Sequence, residues 1–239
     1  MKIKGQLTIF IIMGIILVVS VVLYFVLRGG IIQEYSISDT SSVKNFVDDC
    51  ILEVSENVLE QVSQRGGYYF FSNKSTSSGL AIYYSNGNNY MPSKEEIEEE
   101  ISFYVKESLF FCTKNFIDFS GLNVSQGEVE VKTFIEDESI SFEIDYPIRV
   151  MRGDNLDLLR DFSLNLPVRV KVVYEMSKEI LQSSRDEICL SCILDKSLEK
   201  DLYVDVNDLS DEAVMFIVRD ENSELKEGPF EWVFVIDYA

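Results

Sequence analysis

The sequence predicts an α+β domain with a largely antiparallel sheet and two to three helices, placed behind an N-terminal transmembrane helix. Three patterns support this fold class. An uncharged apolar run lies near the N-terminus, apolar residues then recur every three to four positions, and farther along they alternate with polar residues. These patterns are typical of a membrane span, of amphipathic helices and of half-buried strands, respectively. Helices followed by strands indicate an α+β fold.

The membrane span is predicted from Leu7 to Leu27, a run without a charged residue. About 20 apolar residues are enough to cross the hydrocarbon core, whereas a cleaved secretory signal has a shorter apolar region followed by small residues. Lys2 and Lys4 precede the run, and Arg28 follows it. Because the more basic flank stays in the cytoplasm, we expect a single-pass protein of the cell membrane with its N-terminus inside and its domain outside.

The chain therefore divides into three parts. Residues 1–28 form the cytoplasmic tip and the transmembrane helix, which contacts membrane lipid. Residues 29–42 are rich in Gly and Ser, as in a short linker. Residues 43–239 form the extracytoplasmic α+β domain.

The first half of this domain is predicted to contain two helices. Apolar residues at helical spacing mark a helix over residues 43–62, which Gly66 and Gly67 end. Two aromatic runs, residues 68–71 and 80–84, favour a hairpin. Ser93 and Glu96 then have the spacing of a capping box, which predicts the start of the second helix.

In the second half of the domain, apolar residues alternate with polar ones. Strands are predicted over residues 129–135, 140–150 and 164–172, followed by a helix over residues 173–186. Three more strands are predicted near residues 202–206, 214–218 and 232–236, with a turn at residues 227–229 before the last strand.

Charge and composition exclude several functions. The formal net charge is −20, and the residues after Arg28 carry 18 basic and 41 acidic side chains, a net of −23. Such a surface repels nucleic acid. The chain has no histidine, so Ser-His and Cys-His nucleophiles and His-ligated metal sites are excluded. With no phosphate loop or nucleophile elbow either, we expect no catalytic residues, cofactor or metal.

Four cysteines, Cys50, Cys112, Cys189 and Cys192, are the most informative residues for chemistry. An even number outside the membrane indicates disulfides. Cys50 and Cys112 lie on the inner faces of the two predicted helices, which makes them natural partners. The CxxC pair, Cys189 and Cys192, is then either bridged locally or free. Alternatives are a redox pair, or a zinc site that uses all four sulfurs.

Two asparagines lie in N-glycosylation sequons, Asn73 in Asn-Lys-Ser and Asn123 in Asn-Val-Ser. Asn73 is the better acceptor, because it lies in a predicted polar loop where it would be accessible.

The segment Lys4-Gly5-Gln6-Leu7-Thr8, directly before the apolar run, resembles the class III signal of archaeal type IV pilins and pilin-like proteins. This resemblance implies cleavage by a prepilin peptidase between Gly5 and Gln6. Such pilins usually carry Glu at the fifth mature position, which is Phe10 here, and this departure argues against filament assembly. Residues 43–69 and 145–154 are similar to uncharacterised membrane-anchored archaeal proteins.

Three functions are compatible with these patterns. The first is a membrane-anchored surface protein with a non-catalytic structural or interaction role among envelope proteins, exported by the pilin route. The second is a pilin-like filament subunit, against which Phe10 argues. The third is a membrane-tethered enzyme that uses paired carboxylates or the CxxC pair, against which the missing histidine argues.

Overall fold

A computed structural model of the protein describes residues 17–18, 40–185 and 187–238. The predicted processing site at Gly5 and Gln6, and nearly all of the predicted span over residues 7–27, lie outside these ranges. Among the described residues, no helix is long and apolar enough to cross a membrane. The chain from Thr40 onward forms one compact unit, which contains the elements described below.

This unit is an α+β domain, as the sequence predicts. Its described part holds four α-helices and nine strands. The helices are α1 (Thr40–Ser63), α2 (Lys94–Thr113), α3 (Val170–Ser183) and α4 (Leu190–Lys200), and the strands are β1 (Ile82–Ser85), β2 (Asn88–Asn89), β3 (Asn123–Gln126), β4 (Glu130–Ile135), β5 (Ile140–Arg152), β6 (Asn155–Leu166), β7 (Tyr203–Asp208), β8 (Ala213–Leu225) and β9 (Gly228–Asp237).

The strands form two sheets, which are antiparallel except at one pairing. The first sheet has the order β2-β1-β9-β8-β7, in which only the β1–β9 pair is parallel. In the second sheet β5 is central, with β6 on one side and both β3 and β4 on the other. Strand β7 is therefore an edge of the first sheet, and β6 is an edge of the second.

Helix α1 buries the face that its spacing predicts. Val47, Ile51 and Val54 are at most 6% exposed. The helix ends where Gly66 and Gly67 adopt positive φ angles of 62° and 93°, and the Gly67 amide donates to the Val62 carbonyl at 2.9 Å. Glycine tolerates this left-handed conformation, so the pair closes the helix at little conformational cost.

Helix α2 begins at the predicted capping box. Ser93 Oγ accepts a hydrogen bond from the Glu96 amide at 3.2 Å, and the Glu96 carboxylate accepts one from the Ser93 amide at 2.7 Å. Two amides at the helix start are thus satisfied by side chains.

A buried ion pair joins the start of α3 to β8. Asp220 is fully buried at an irregularity of β8, where it accepts hydrogen bonds from the Arg169 guanidinium and, at 2.5 Å, from Ser223 Oγ. Burial alone would raise the pKa of Asp220. The bonds from Arg169 and Ser223 outweigh it and hold this pKa below its usual value.

Two predicted elements were wrong. Residues 68–71 form no strand, because Tyr69 stacks on Tyr104 of α2 at 4.0 Å between ring centroids, and β1 instead pairs with β2 and β9. The strand predicted over residues 164–172 ends at Leu166, directly before Pro167, and residues from Val170 onward belong to α3. Proline cannot donate to a strand ladder, so the change of structure falls there.

The structure also has more helices than the two to three predicted. Helix α4 was missed, since Ile193 is its one buried large apolar residue and its leucines face solvent. A helix without a wide buried face gives a weak amphipathic signal.

Candidate functional site

The cysteines form two separate pairs. Cys50 of α1 and Cys112 of α2 have sulfur atoms 2.07 Å apart and Cα atoms 5.8 Å apart. Cys189 and Cys192 are bonded to each other, with Cα atoms 5.3 Å apart. A zinc site would need all four sulfurs to converge, and each sulfur is instead engaged in a pair. Among the described residues, no cluster of three or more Cys, Asp or Glu side chains is arranged to hold a metal.

The Cys189–Cys192 pair lies at the N-terminus of α4. Cys189 is the N-cap residue, and Cys192 lies in the first turn. Ser191 Oγ lies 3.7 Å from Cys189 Sγ on the exposed side of the pair. The free amides of a helix start give this end partial positive charge, which favours anions there.

A cavity of about 330 Å³ adjoins the second cysteine. Its walls come from α3 and α4 and include Met176, Glu179, Ile180, Cys192, Ile193 and Lys196. The Glu179 side chain is one-third exposed, and its Oε1 lies 3.4 Å from Lys200 Nζ. Its Oε2 is buried and has no hydrogen-bond partner among the described residues. A carboxylate oxygen without a donor can accept a proton from a neighbouring group.

A row of exposed leucines runs along the outer side of the same helix. Leu190, Leu194 and Leu198, four residues apart, are 62%, 58% and 71% exposed. With Tyr203, at the start of β7, they form what we call the leucine surface. A groove of about 310 Å³ lies between this row and β7. Leu202, Val204 and Val206 are among the residues that line it.

The leucine surface carries mostly acidic charge. Asp195 and Glu199 lie on α4, and Asp201, Asp205 and Asp208 lie at the start or along β7. Lys196 pairs with Glu199, Lys200 with Glu179 and Arg219 with Asp205. Asp195, Asp201 and Asp208 have no ion-pair partner among the described residues, so the surface keeps an acidic excess. The outer edge of β7 has no paired strand in the described part of the chain.

The structure also exposes both predicted glycosylation residues. Asn73 lies in the loop between α1 and β1, and Asn123 is the first residue of β3. Both side chains are accessible to a modifying enzyme.

A pair of carboxyl groups lies away from the cysteines, where α1 approaches the β8–β9 turn. Burial raises the pKa of Glu60, and a hydrogen bond with Glu227 and its charge raise it further. This is the kind of paired carboxyl arrangement that the enzyme alternative requires. Glu231 lines the same cavity of about 200 Å³.

Sequence reasoning found the cysteines but missed the leucine surface, the Glu179 cavity and the Glu60–Glu227 pair. The spacing of Leu190, Leu194 and Leu198 was a usable signal for an exposed helix face. The Glu60–Glu227 pair brings together residues far apart in the sequence, and the Glu179 cavity depends on how α3 packs against α4. In comparisons with known proteins, no protein-family model matches this chain, and no curated protein is significantly similar to it.

Proposed function

We propose that this chain is a membrane-anchored cell-surface protein whose domain has a structural or interaction role. The leucine surface is the observation that carries this proposal. Burying a leucine side chain stabilises a protein by about 1.5–3 kcal/mol, and a soluble helix normally turns its leucines inward. A contiguous exposed apolar surface instead marks an interaction site.

The chemistry of this surface selects its partner. The acidic residues around the leucines favour a segment with apolar side chains flanked by Lys or Arg, since complementary charge steers association and disfavours other partners. The free edge of β7 can accept such a segment as an added strand, through backbone hydrogen bonds. We therefore propose another envelope protein with a basic, apolar segment as the partner.

The anchor and the location rest on separate observations. The uncharged run from Leu7 to Leu27 supports a single membrane span, and the resemblance of residues 4–8 to an archaeal pilin signal supports export by the pilin route. Two closed cysteine pairs support a position outside the cytoplasm, because disulfides persist in oxidising compartments.

Photo-crosslinking in living cells tests the interaction surface. A photoreactive amino acid at Leu194 should give one defined crosslinked species, and the substitutions Leu190→Asp and Leu198→Asp together should abolish it. The same amino acid at Leu52 of α1 is the matched control, because Leu52 is also an exposed helical leucine, at 40%, and has acidic neighbours in sequence but lies outside the leucine surface. Crosslinks that are equal at Leu52 and Leu194, or absent from both, would contradict the proposal.

The identity of the crosslinked species separates the interaction role from the filament alternative. A second protein with a basic, apolar segment supports the proposal. A second copy of this chain, recovered in a filament fraction, would favour a pilin-like subunit instead.

A further inference from the structure

The two disulfides differ in how firmly the fold holds them. Cys50 is 2% exposed between α1 and α2, and its bond to Cys112 spans 62 residues of sequence. The Cys189–Cys192 pair is only partly buried and spans three residues. A disulfide that closes a short loop constrains the unfolded chain less, so reducing it costs the protein less stability. The second pair is therefore the easier one to open.

The environment of Cys189 suits a thiolate. As the N-cap residue of α4, it lies where the helix amides point and where the helix dipole favours negative charge. Ser191 Oγ, 3.7 Å from Cys189 Sγ, can donate a hydrogen bond to the reduced sulfur. Cysteines at helix N-termini have a lowered pKa and react as nucleophiles or as leaving groups at neutral pH.

The environment of Cys192 supplies a proton acceptor. Cys192 lines the cavity that Glu179 also lines, and the buried Glu179 Oε2 has no hydrogen-bond partner among the described residues. A carboxylate in this position can remove the proton of a Cys192 thiol and return it later. The cavity, the carboxylate and the helix start thus converge on one disulfide.

We infer that the Cys189–Cys192 disulfide is a thiol–disulfide exchange site whose substrate is a cysteine-containing segment of another polypeptide. This activity goes beyond the interaction role proposed above. Leu190 lies between the two cysteines in sequence, and Leu194 follows one turn later on the exposed side of α4. An apolar substrate segment that contacts these leucines lies beside the disulfide.

The exchange has two balanced steps. A substrate thiol gives its proton to the Glu179 carboxylate, and the resulting thiolate attacks Cys189 Sγ. A sulfur–sulfur bond to Cys189 forms, the Cys189–Cys192 bond breaks, and Cys192 leaves and takes that proton from Glu179. A second substrate thiolate, whose proton has gone to solvent, then attacks the substrate sulfur of this mixed disulfide, and Cys189 leaves as the thiolate. The substrate dithiol is oxidised to a disulfide, and the protein gains two electrons as the Cys189 thiolate and the Cys192 thiol. In reverse, Glu179 deprotonates Cys192.

Selective reduction is the first test, and the protein contains its own control. The full chain in mild detergent is incubated with increasing dithiothreitol, quenched with an alkylating reagent and analysed by mass spectrometry of its peptides. We expect Cys189 and Cys192 to be alkylated at a dithiothreitol concentration at least tenfold below that needed for Cys50 and Cys112. Equal sensitivity of the two pairs, or greater resistance of Cys189–Cys192, would overturn the inference.

The second test uses glutathione disulfide as the probe and follows the reverse reaction. In Cys192→Ala, the Cys189 thiolate should form a stable adduct with glutathione. Selectively reduced wild-type protein should release this adduct as the Cys189–Cys192 bond re-forms. Glu179→Gln should slow this release by about tenfold or more and flatten its dependence on pH, because Gln cannot take the Cys192 proton.

Glu175→Gln is the matched control for Glu179→Gln, since Glu175 lies on the same helix and pairs with Lys178 instead. Thermal melts of each variant establish that it is folded. Identical release rates in Glu179→Gln and Glu175→Gln would remove Glu179 from the inference. A Cys192→Ala protein that forms no glutathione adduct would refute the exchange site itself.

Discussion

Removing the Cys50–Cys112 disulfide should destabilise the domain far more than removing Cys189–Cys192. The bond joins residues 62 positions apart, and the chain-entropy model assigns a loop of that length about 4 kcal/mol of stabilisation. The pair Cys189–Cys192 spans three positions, for which the same model gives about 2 kcal/mol. The difference, about 2 kcal/mol, is the quantity that the structure predicts.

The double variants Cys50→Ala/Cys112→Ala and Cys189→Ala/Cys192→Ala measure this difference directly. Alanine avoids placing a hydroxyl group in the buried Cys50 site, which is 2% exposed. Guanidinium unfolding monitored by circular dichroism gives the free energy of unfolding for each. The dependence of the free energy of unfolding on guanidinium concentration must be fitted separately for each variant. Losing a crosslink expands the unfolded chain and therefore changes this dependence. The reasoning would be refuted if the free energy of unfolding fell equally in the two variants, or if it fell by less than about 1 kcal/mol in Cys50→Ala/Cys112→Ala.

Three further substitutions test the core and the caps. Asp220→Ala leaves Arg169 without its buried partner and should cost about 3–5 kcal/mol in denaturant unfolding; a loss under 1 kcal/mol would show that the pair is dispensable. Since the pKa of Asp220 is lowered in the folded state, its contribution is complete above the unfolded Asp pKa of about 3.9 and is lost as the pH falls through the folded value. Acid titration of wild type against Asp220→Ala should therefore show the two stabilities converging at low pH, not at high pH. Ser93→Ala removes one half of the capping box and should cost about 1 kcal/mol in the same assay, whereas an unchanged midpoint would argue against the cap. Ile51→Asp places a carboxylate at a site that is 2% exposed and should unfold the domain, so a soluble variant with a cooperative melt would contradict this core assignment.

The helices and strands with one clear buried face could be predicted from the sequence. The spacing of apolar residues identified α1 and most of β5, because each of these elements buries one side in the core. The spacing of Ser93 and Glu96 identified the start of α2. The fold class follows from the same patterns.

Elements decided by long-range contacts could not be predicted. Residues 68–71 have the aromatic composition of a strand, yet Tyr69 packs on Tyr104, and the parallel pairing of β1 with β9 joins distant parts of the chain. Amino-acid composition does not show whether such a segment will pair with a strand or pack its side chains on a helix.

The candidate site was predictable only in its cysteines. The CxxC spacing is visible in the sequence, but Glu179 and Cys192 line one cavity because α3 packs against α4. The partner of Asp220 likewise lies 51 residues away, at Arg169. Such pairings depend on how the elements pack, and no pattern of neighbouring residues in the sequence predicts them.

The state of Cys50 and Cys112 in living cells tests the account of an anchored, extracytoplasmic domain most directly. Cells are quenched in acid to stop thiol exchange, free thiols are alkylated, and the bonded cysteines are then reduced and labelled with a second reagent for mass spectrometry. If the domain folds in an oxidising compartment, as we propose, Cys50 and Cys112 should carry only the second label. Both residues carrying the first label would place the domain in a reducing compartment and contradict the account.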